Sequence, residues 1–95
     1  MTVARFRGAV IAESDNTRVV EGNHYFPATA VDWDALLVSP SRSYCYWKGK
    51  ASYFHVTNGD DVAMDSAWTY ERPWPLARRI RDHVAFWGDV EVADH

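Results

Sequence analysis

Two short stretches carry most of the chemistry that this 95-residue chain offers: Glu21-Gly22-Asn23-His24-Tyr25-Phe26-Pro27 and Cys45-Tyr46-Trp47-Lys48-Gly49-Lys50-Ala51-Ser52-Tyr53-Phe54-His55. Each sets ionisable groups among aromatics and a glycine. That is more polar chemistry than a small core holds, so both stretches are expected to line a site. In the first, Glu21 brings a carboxylate, Asn23 an amide and His24 an imidazole. All three fall at the end of an expected strand, where ligand-facing groups commonly sit. The alternative is a structural turn, with Gly22 at positive φ and Asn23 bonding its own backbone. In the second stretch, Lys48 beside Trp47 suits an anionic group, or else is a surface lysine at a strand end. Cys45 lies three residues before that cation and is a candidate nucleophile, with His24 or His55 as base; a small, buried, inert thiol is the other reading. Tyr25, Tyr53 and, further along, Trp68 either wall the site with rings or fill the core. Glu21, His24 and His55 are conceivable metal ligands, but no His-x-His or His-x-x-x-His spacing accompanies them. No metal and no cofactor are therefore expected. His83 and His95 stand apart from both stretches.

The bulk composition narrows the function classes. A 47% hydrophobic and 24% charged chain folds, and its length suits one domain over residues 1–95. Aromatics make up 15%, with the indoles spread over Trp33, Trp47, Trp68, Trp74 and Trp87. Several are expected to be part-exposed at a pocket or a subunit interface. The net charge is −3, and the densest basic run, Arg78-Arg79-Ile80-Arg81, falls on an expected amphipathic helix, so nucleic acid is not an expected partner. A lone cysteine makes neither an intrachain disulfide nor a cysteine-based zinc cluster, which sets a reducing cytoplasm as the default location. No stretch approaches the roughly 18 apolar residues of a membrane span, and the start of the chain lacks a signal-peptide run.

The positioning elements read as mostly β. Val3 to Glu13 is rich in strand formers, with Gly8 at a bulge or close approach, and Thr17 to Glu21 is the returning strand of a hairpin closed by Gly22-Asn23. Asn23 to Ala30 reads as irregular, Trp33 to Val38 as strand or one helical turn with its length favouring strand, and Ser39 to Ser43 as loop. Lys48 to Thr57 is the clearest strand, with Ala51, Tyr53 and His55 on one face and Ser52, Phe54 and Val56 on the other. Asn58-Gly59 is the strongest hairpin signal. Its partner strand runs from Val62 to Tyr70 with a break at Asp65-Ser66. Pro75 opens a helix on which Leu76, Ile80 and Val84 recur at i, i+4 and i+8. Val84 to Trp87 closes the strand set, and Val90-Glu91-Val92 follows a Gly88-Asp89 turn. The expected class is mainly β (α+β), with one short helix in the C-terminal half.

The order of these pieces is similar to the small bacterial family known as domain of unknown function 427. The resemblance is carried by Ala12-Glu13-Ser14, by the two stretches above, by Ala67-Trp68-Thr69-Tyr70 and by Val84-Ala85-Phe86, and so covers almost the whole chain. It implies a β-tent: two antiparallel sheets meeting at an angle. Related tents often hold a structural zinc on paired Cys-x-x-Cys knuckles, which one cysteine cannot supply. The family is sometimes labelled nucleotidyltransferase-like. The sequence has no Gly-Ser followed by paired carboxylates at metal-binding spacing, and Asp60-Asp61 reads as turn chemistry.

Three functions follow as expectations. The first is a domain that binds a small polar or anionic ligand, with Trp47, Trp68 and Tyr53 as walls and Glu21, Asn23, His24, Tyr25 and Lys48 as its other contacts. The second is an enzyme in the same cleft, with Glu21 as acid or base and Lys48 stabilising negative charge, or with Cys45 as nucleophile. The third is a protein-interaction or homodimer module that buries exposed indoles.

Overall fold

Pairs of left-handed residues decide where the chain reverses. Arg7 and Gly8 (φ 51° and 82°) and Glu21 and Gly22 (φ 53° and 80°) fill the centres of two-residue loops, the signature of type I′ turns that match the strand twist. In this computed structural model, which describes residues 1–94, the first pair joins β1 (Thr2–Phe6) to β2 (Ala9–Ser14) and the second joins β3 (Arg18–Val20) to β4 (Asn23–Pro27). β5 (Leu36–Cys45) returns as β6 (Gly49–Asn58) through the loop Tyr46-Trp47-Lys48, closed by the Cys45–Gly49 pair. β6 turns at Gly59-Asp60 into β7 (Asp61–Thr69), and β8 (His83–Phe86) and β9 (Glu91–Asp94) complete the set.

Every pairing is antiparallel. Three strands form one sheet in the order β2-β1-β9, and six form the other in the order β3-β4-β8-β7-β6-β5. Alternation along the strands gives the larger sheet two buried faces. Phe26, Val56, Ala67, Val84 and Phe86 join Ala4, Phe6 and Ile11 in the core between the sheets, where Phe26 and Phe86 meet edge to face at 5.6 Å. Tyr25, Ala51, Tyr70 and Ala85 point the other way, into a second cluster capped by Ala77 and Ile80. Those two caps come from a 3₁₀ segment, Pro75–Ile80.

The family architecture of two antiparallel sheets is what the structure shows, while several local expectations are corrected. β3 pairs with β4 in the large sheet and is not the return of the first strand, because β1 and β2 already form their own hairpin about Arg7-Gly8. Gly8 is therefore a turn residue and no bulge. Asn23 to Pro27 is strand, with Pro27 at its end, where a missing N–H does least harm. Trp33–Ala35 is a 3₁₀ turn, capped by Asp32 accepting from the Asp34 N–H at 3.1 Å. The expected loop at Ser39 to Ser43 lies inside β5, as a bulge between Val38 and Arg42. The helix is also shorter than its periodicity suggests. Asp82, at φ 60°, cannot continue a right-handed helix, so Val84 belongs to β8. The buried pair Ala77 and Ile80 follows the three-residue period of a 3₁₀ turn and leaves Leu76 exposed. His95 lies outside the described residues.

The expected break in β7 is a wide bulge. Phe54 pairs with Ala67 and Val56 with Ala63, so Met64, Asp65 and Ser66 all face His55. Asp65 takes φ 52° and is tied in place. Its carboxylate accepts from Ser39 Oγ at 2.5 Å and Ser41 Oγ at 2.8 Å, and its N–H donates to His55 Nδ1 at 3.0 Å. The Ser39 hydrogen bond leads in holding the Asp65 carboxyl below its ordinary value, followed by that of Ser41, against the opposing effect of burial. A carboxyl depressed in the fold stabilises it above the unfolded pKa, and that contribution fades as pH falls through the folded pKa. Asp65→Asn should therefore unfold at lower urea than the parent at pH 7, with the gap closing as pH drops below about 4. A gap that persists unchanged to pH 2 would show that the carboxylate charge is not what locks the bulge.

Candidate functional site

Lys48 is the last residue of the β5–β6 loop, and Gly49, at φ 104°, lets that loop close. A side chain at Gly49 would be strained there, and its Cβ would lie 3.5 Å from the Trp74 ring. The Lys48 carbonyl accepts from the Trp74 N–H at 3.0 Å, which ties the loop to the segment carrying the 3₁₀ cap. The Lys48 side chain is 8% exposed, so the reading of it as a surface lysine is overturned. Its ammonium donates to Glu21 Oε1 and lies 5.3 Å from the Tyr70 ring centroid and 5.6 Å from that of Trp47. The two stretches singled out in the sequence meet here, 27 residues apart in the chain.

The contact constrains the fold around it. In the six-stranded sheet β4 and β6 are three positions apart, about 14 Å in a flat sheet at about 4.8 Å per strand. The Glu21 turn and the Lys48 loop must therefore fold inward over the second cluster. Burial pulls the Lys48 pKa down. The hydrogen bond to Glu21, aided by the Tyr25 and Tyr70 phenols, outweighs it and holds the ammonium above its ordinary value. Glu21 is shifted the other way, below the ordinary carboxylate value, chiefly by that same hydrogen bond. Burial raises the phenols of Tyr25 and Tyr70.

Lys48 also borders a depression of about 250 Å³, lined by Tyr53, Trp68, Tyr70 and Trp87 as well. Trp68 stands edge-on to the fully buried Tyr25 at 6.1 Å and donates its indole N–H to the Tyr25 hydroxyl at 3.1 Å. Tyr53 shares a hydrogen bond of 2.9 Å with Ser43 Oγ. Trp87 donates its indole N–H to the Asp65 carbonyl at 2.7 Å and is 57% exposed.

The expected site residues divide accordingly. Lys48, Tyr53 and Trp68 line the depression, Tyr25 supports Trp68 from below, and Glu21 holds Lys48 from its far side. Trp47 lines a separate apolar groove with Val20, Leu76 and Ile80. Asn23 pairs across its hairpin with Val20, and His24 shares a hydrogen bond of 2.9 Å with Thr17 Oγ1. Cys45 is half-buried and packs against the second cluster, while His55 accepts from the Asp65 N–H. Tyr70 and Trp87 were not among the expected residues. Alternation in β8 offered a signal for Trp87: Val84 and Phe86 face the core, which leaves Ala85 and Trp87 for the opposite face. Asp60 lies in the β6–β7 turn and Asp61 opens β7. Among the described residues no group of three or more His, Cys, Asp or Glu side chains is placed to hold a metal, and no helix is long and apolar enough to cross a membrane.

Fold and site together define a class: a two-sheet antiparallel domain with an aromatic depression over a carboxylate-paired lysine. The family profile described as Domain of unknown function (DUF427) matches residues 1–94, and the chain belongs to that family. No curated protein matches it.

The pair is asymmetric, because Glu21 is 52% exposed and Lys48 is not. Removing Lys48 leaves a carboxylate that water solvates, whereas removing Glu21 strands a nearly buried cation. Lys48→Met, which keeps the apolar stem, should therefore cost less stability than Glu21→Ala. Urea midpoints of the two variants test this, and the reverse order would show that the ammonium finds another partner.

Proposed function

We propose that this chain binds a small polar or anionic ligand with a flat ring, in the depression over Lys48. One observation carries the reading: a buried, charged lysine forms part of an open concavity whose remaining lining is aromatic. Rings on Trp68 and Trp87 offer stacking surface, and the ammonium offers the fixed polar contact that small-molecule sites use for orientation. The polar contacts of the proposed site are Lys48 and Tyr70, with Glu21 behind them. The single half-buried cysteine agrees with a reducing, cytoplasmic setting. Catalysis in the same cleft has less support, because Glu21, the acid or base of that reading, does not line the depression and Cys45 packs against the second cluster.

Amide and indole NMR titration with benzoate and its neutral isostere benzamide tests the proposal. Benzoate should move the Trp68 and Trp87 indole signals and bind more tightly than benzamide, and Lys48→Met should abolish the difference. Unmoved indole signals at saturating benzoate would remove the ring-binding reading.

One feature favours the self-association alternative. β5 is the end strand of the large sheet, ten residues long, and exposes Leu37, Val38 and Tyr44, although Pro40 and the bulge break up its edge. A dimer through this strand would sediment at twice 10.9 kDa, and Val38→Lys should return it to monomer; a sedimenting monomer rejects this alternative.

A further inference from the structure

The carboxylate that neutralises Lys48 is not part of the depression. Lys48 lines it and Glu21 does not, so the residue that borders the cavity is held by a carboxylate that does not. Glu21 occupies the first central position of a type I′ turn at φ 53°. Glycine, asparagine and aspartate are the residues that favour this position. The turn sets the Glu21 side chain at the hairpin tip, within reach of the ammonium.

We infer that Glu21 is a built-in competitor for Lys48: the acidic group of a ligand in the depression takes its place on the ammonium, and the Glu21 carboxylate turns out to solvent. The inference rests on the ligand-pocket reading above and adds how that pocket treats charge. Two features make the exchange cheap. Lys48 is flanked by the Tyr70 and Trp47 rings and is 8% exposed, so two carboxylates crowded onto it would repel each other at short range in a poorly screened setting. Glu21 sits at a hairpin tip and is already 52% exposed, so water solvates it as soon as it lets go. The ammonium keeps one carboxylate throughout and is never left alone. In the resting state the pair is neutral, and a cation or a neutral ring meets no uncompensated charge. An acid is accepted only at the expense of the resident contact, so the site discriminates by exchange and not by a standing positive field.

The experiment measures benzoate and benzamide affinity on the parent protein, on Glu21→Gln and on Lys48→Met at fixed ionic strength, followed at the Trp68 and Trp87 indole signals. Glutamine keeps the length and a carbonyl acceptor for Lys48 while removing the competing charge. Benzoate should bind Glu21→Gln about tenfold more tightly than the parent, benzamide should bind both alike, and Lys48→Met should lose the preference for benzoate. In the parent, the Glu21 side-chain carboxyl carbon should move towards the shift of a solvated glutamate as benzoate is added. Equal benzoate affinity in the parent and Glu21→Gln, with Lys48→Met impaired, would overturn the competitor role and leave the pocket standing. No indole response in either protein would overturn both. If Glu21→Gln does not fold, the carboxyl-carbon titration of the parent decides alone, and a signal that stays put while the indoles move overturns the exchange.

Discussion

A nearly buried ammonium needs an anion, and much of one face of the large sheet is arranged around that requirement. Lys48 reaches the interior of the second cluster from a loop, and the carboxylate it engages comes from a hairpin three strands away in the same sheet. The Lys48–Glu21 pair therefore holds the β5–β6 loop and the β3–β4 hairpin over one face, with Tyr25 and Tyr70 packed beneath. Rings on two sides of the ammonium contribute through their negative faces. A pair of this kind contributes less to stability than to geometry, because desolvation offsets much of the attraction. What it secures is the position of a charge at the edge of an aromatic cavity.

The large sheet divides its labour between its faces. Towards the small sheet it presents a close-packed aliphatic and phenylalanine core that has no polar chemistry to offer. On the other face the burial is thinner, supplied by six residues of 3₁₀ segment, which cannot cover six strands. The uncovered remainder is the depression. A small domain that places a full sheet on one face and a short cap on the other leaves a concavity beside the cap, and side chains from β6, from β7 and from just beyond the ends of β7 and β8 line it.

The larger features were legible in the sequence for identifiable reasons. β6 is a regular run of strand formers, hairpin chemistry follows it, and its alternation correctly separates Tyr53 from Phe54. Glu21 and Lys48 stood out as charges among rings, and Asp65-Ser66 as a break in a strand. What could not be read was partnership. Nothing local to Glu21 or Lys48 states that they meet, since the contact depends on strand order. His24 and Asn23 share the stretch with Glu21, yet strand alternation and hairpin pairing direct them elsewhere. The Leu76, Ile80, Val84 period coincided with a helix and was ended by one residue, Asp82, whose left-handed backbone no periodicity reveals. Asn23 to Ala30 reads as irregular and Ser39 to Ser43 as loop, but the proline in each sits where β pairing tolerates a missing donor, Pro27 at a strand end and Pro40 in an edge bulge.

The bulge in β7 ties the second ionisable cluster to the same cavity. Asp65 is a non-glycine residue at positive φ, a conformation that persists only when its surroundings over-determine it. Here two serine hydroxyls hold its carboxylate and His55 holds its N–H. The same residue's carbonyl accepts the indole N–H of Trp87, and the neighbouring Ser66 carbonyl accepts the Trp87 backbone N–H at 3.0 Å. Trp87 stands beyond the end of β8, with more than half of its surface in water, and without those two acceptors little would orient it. The Ser39, Ser41, Asp65 and His55 cluster looks like a separate site when read by residue type. Its hydrogen bonds point instead to a supporting role: it fixes a strained bulge, the bulge presents two carbonyls, and the carbonyls set the outer wall of the depression whose ammonium Glu21 holds from the opposite side.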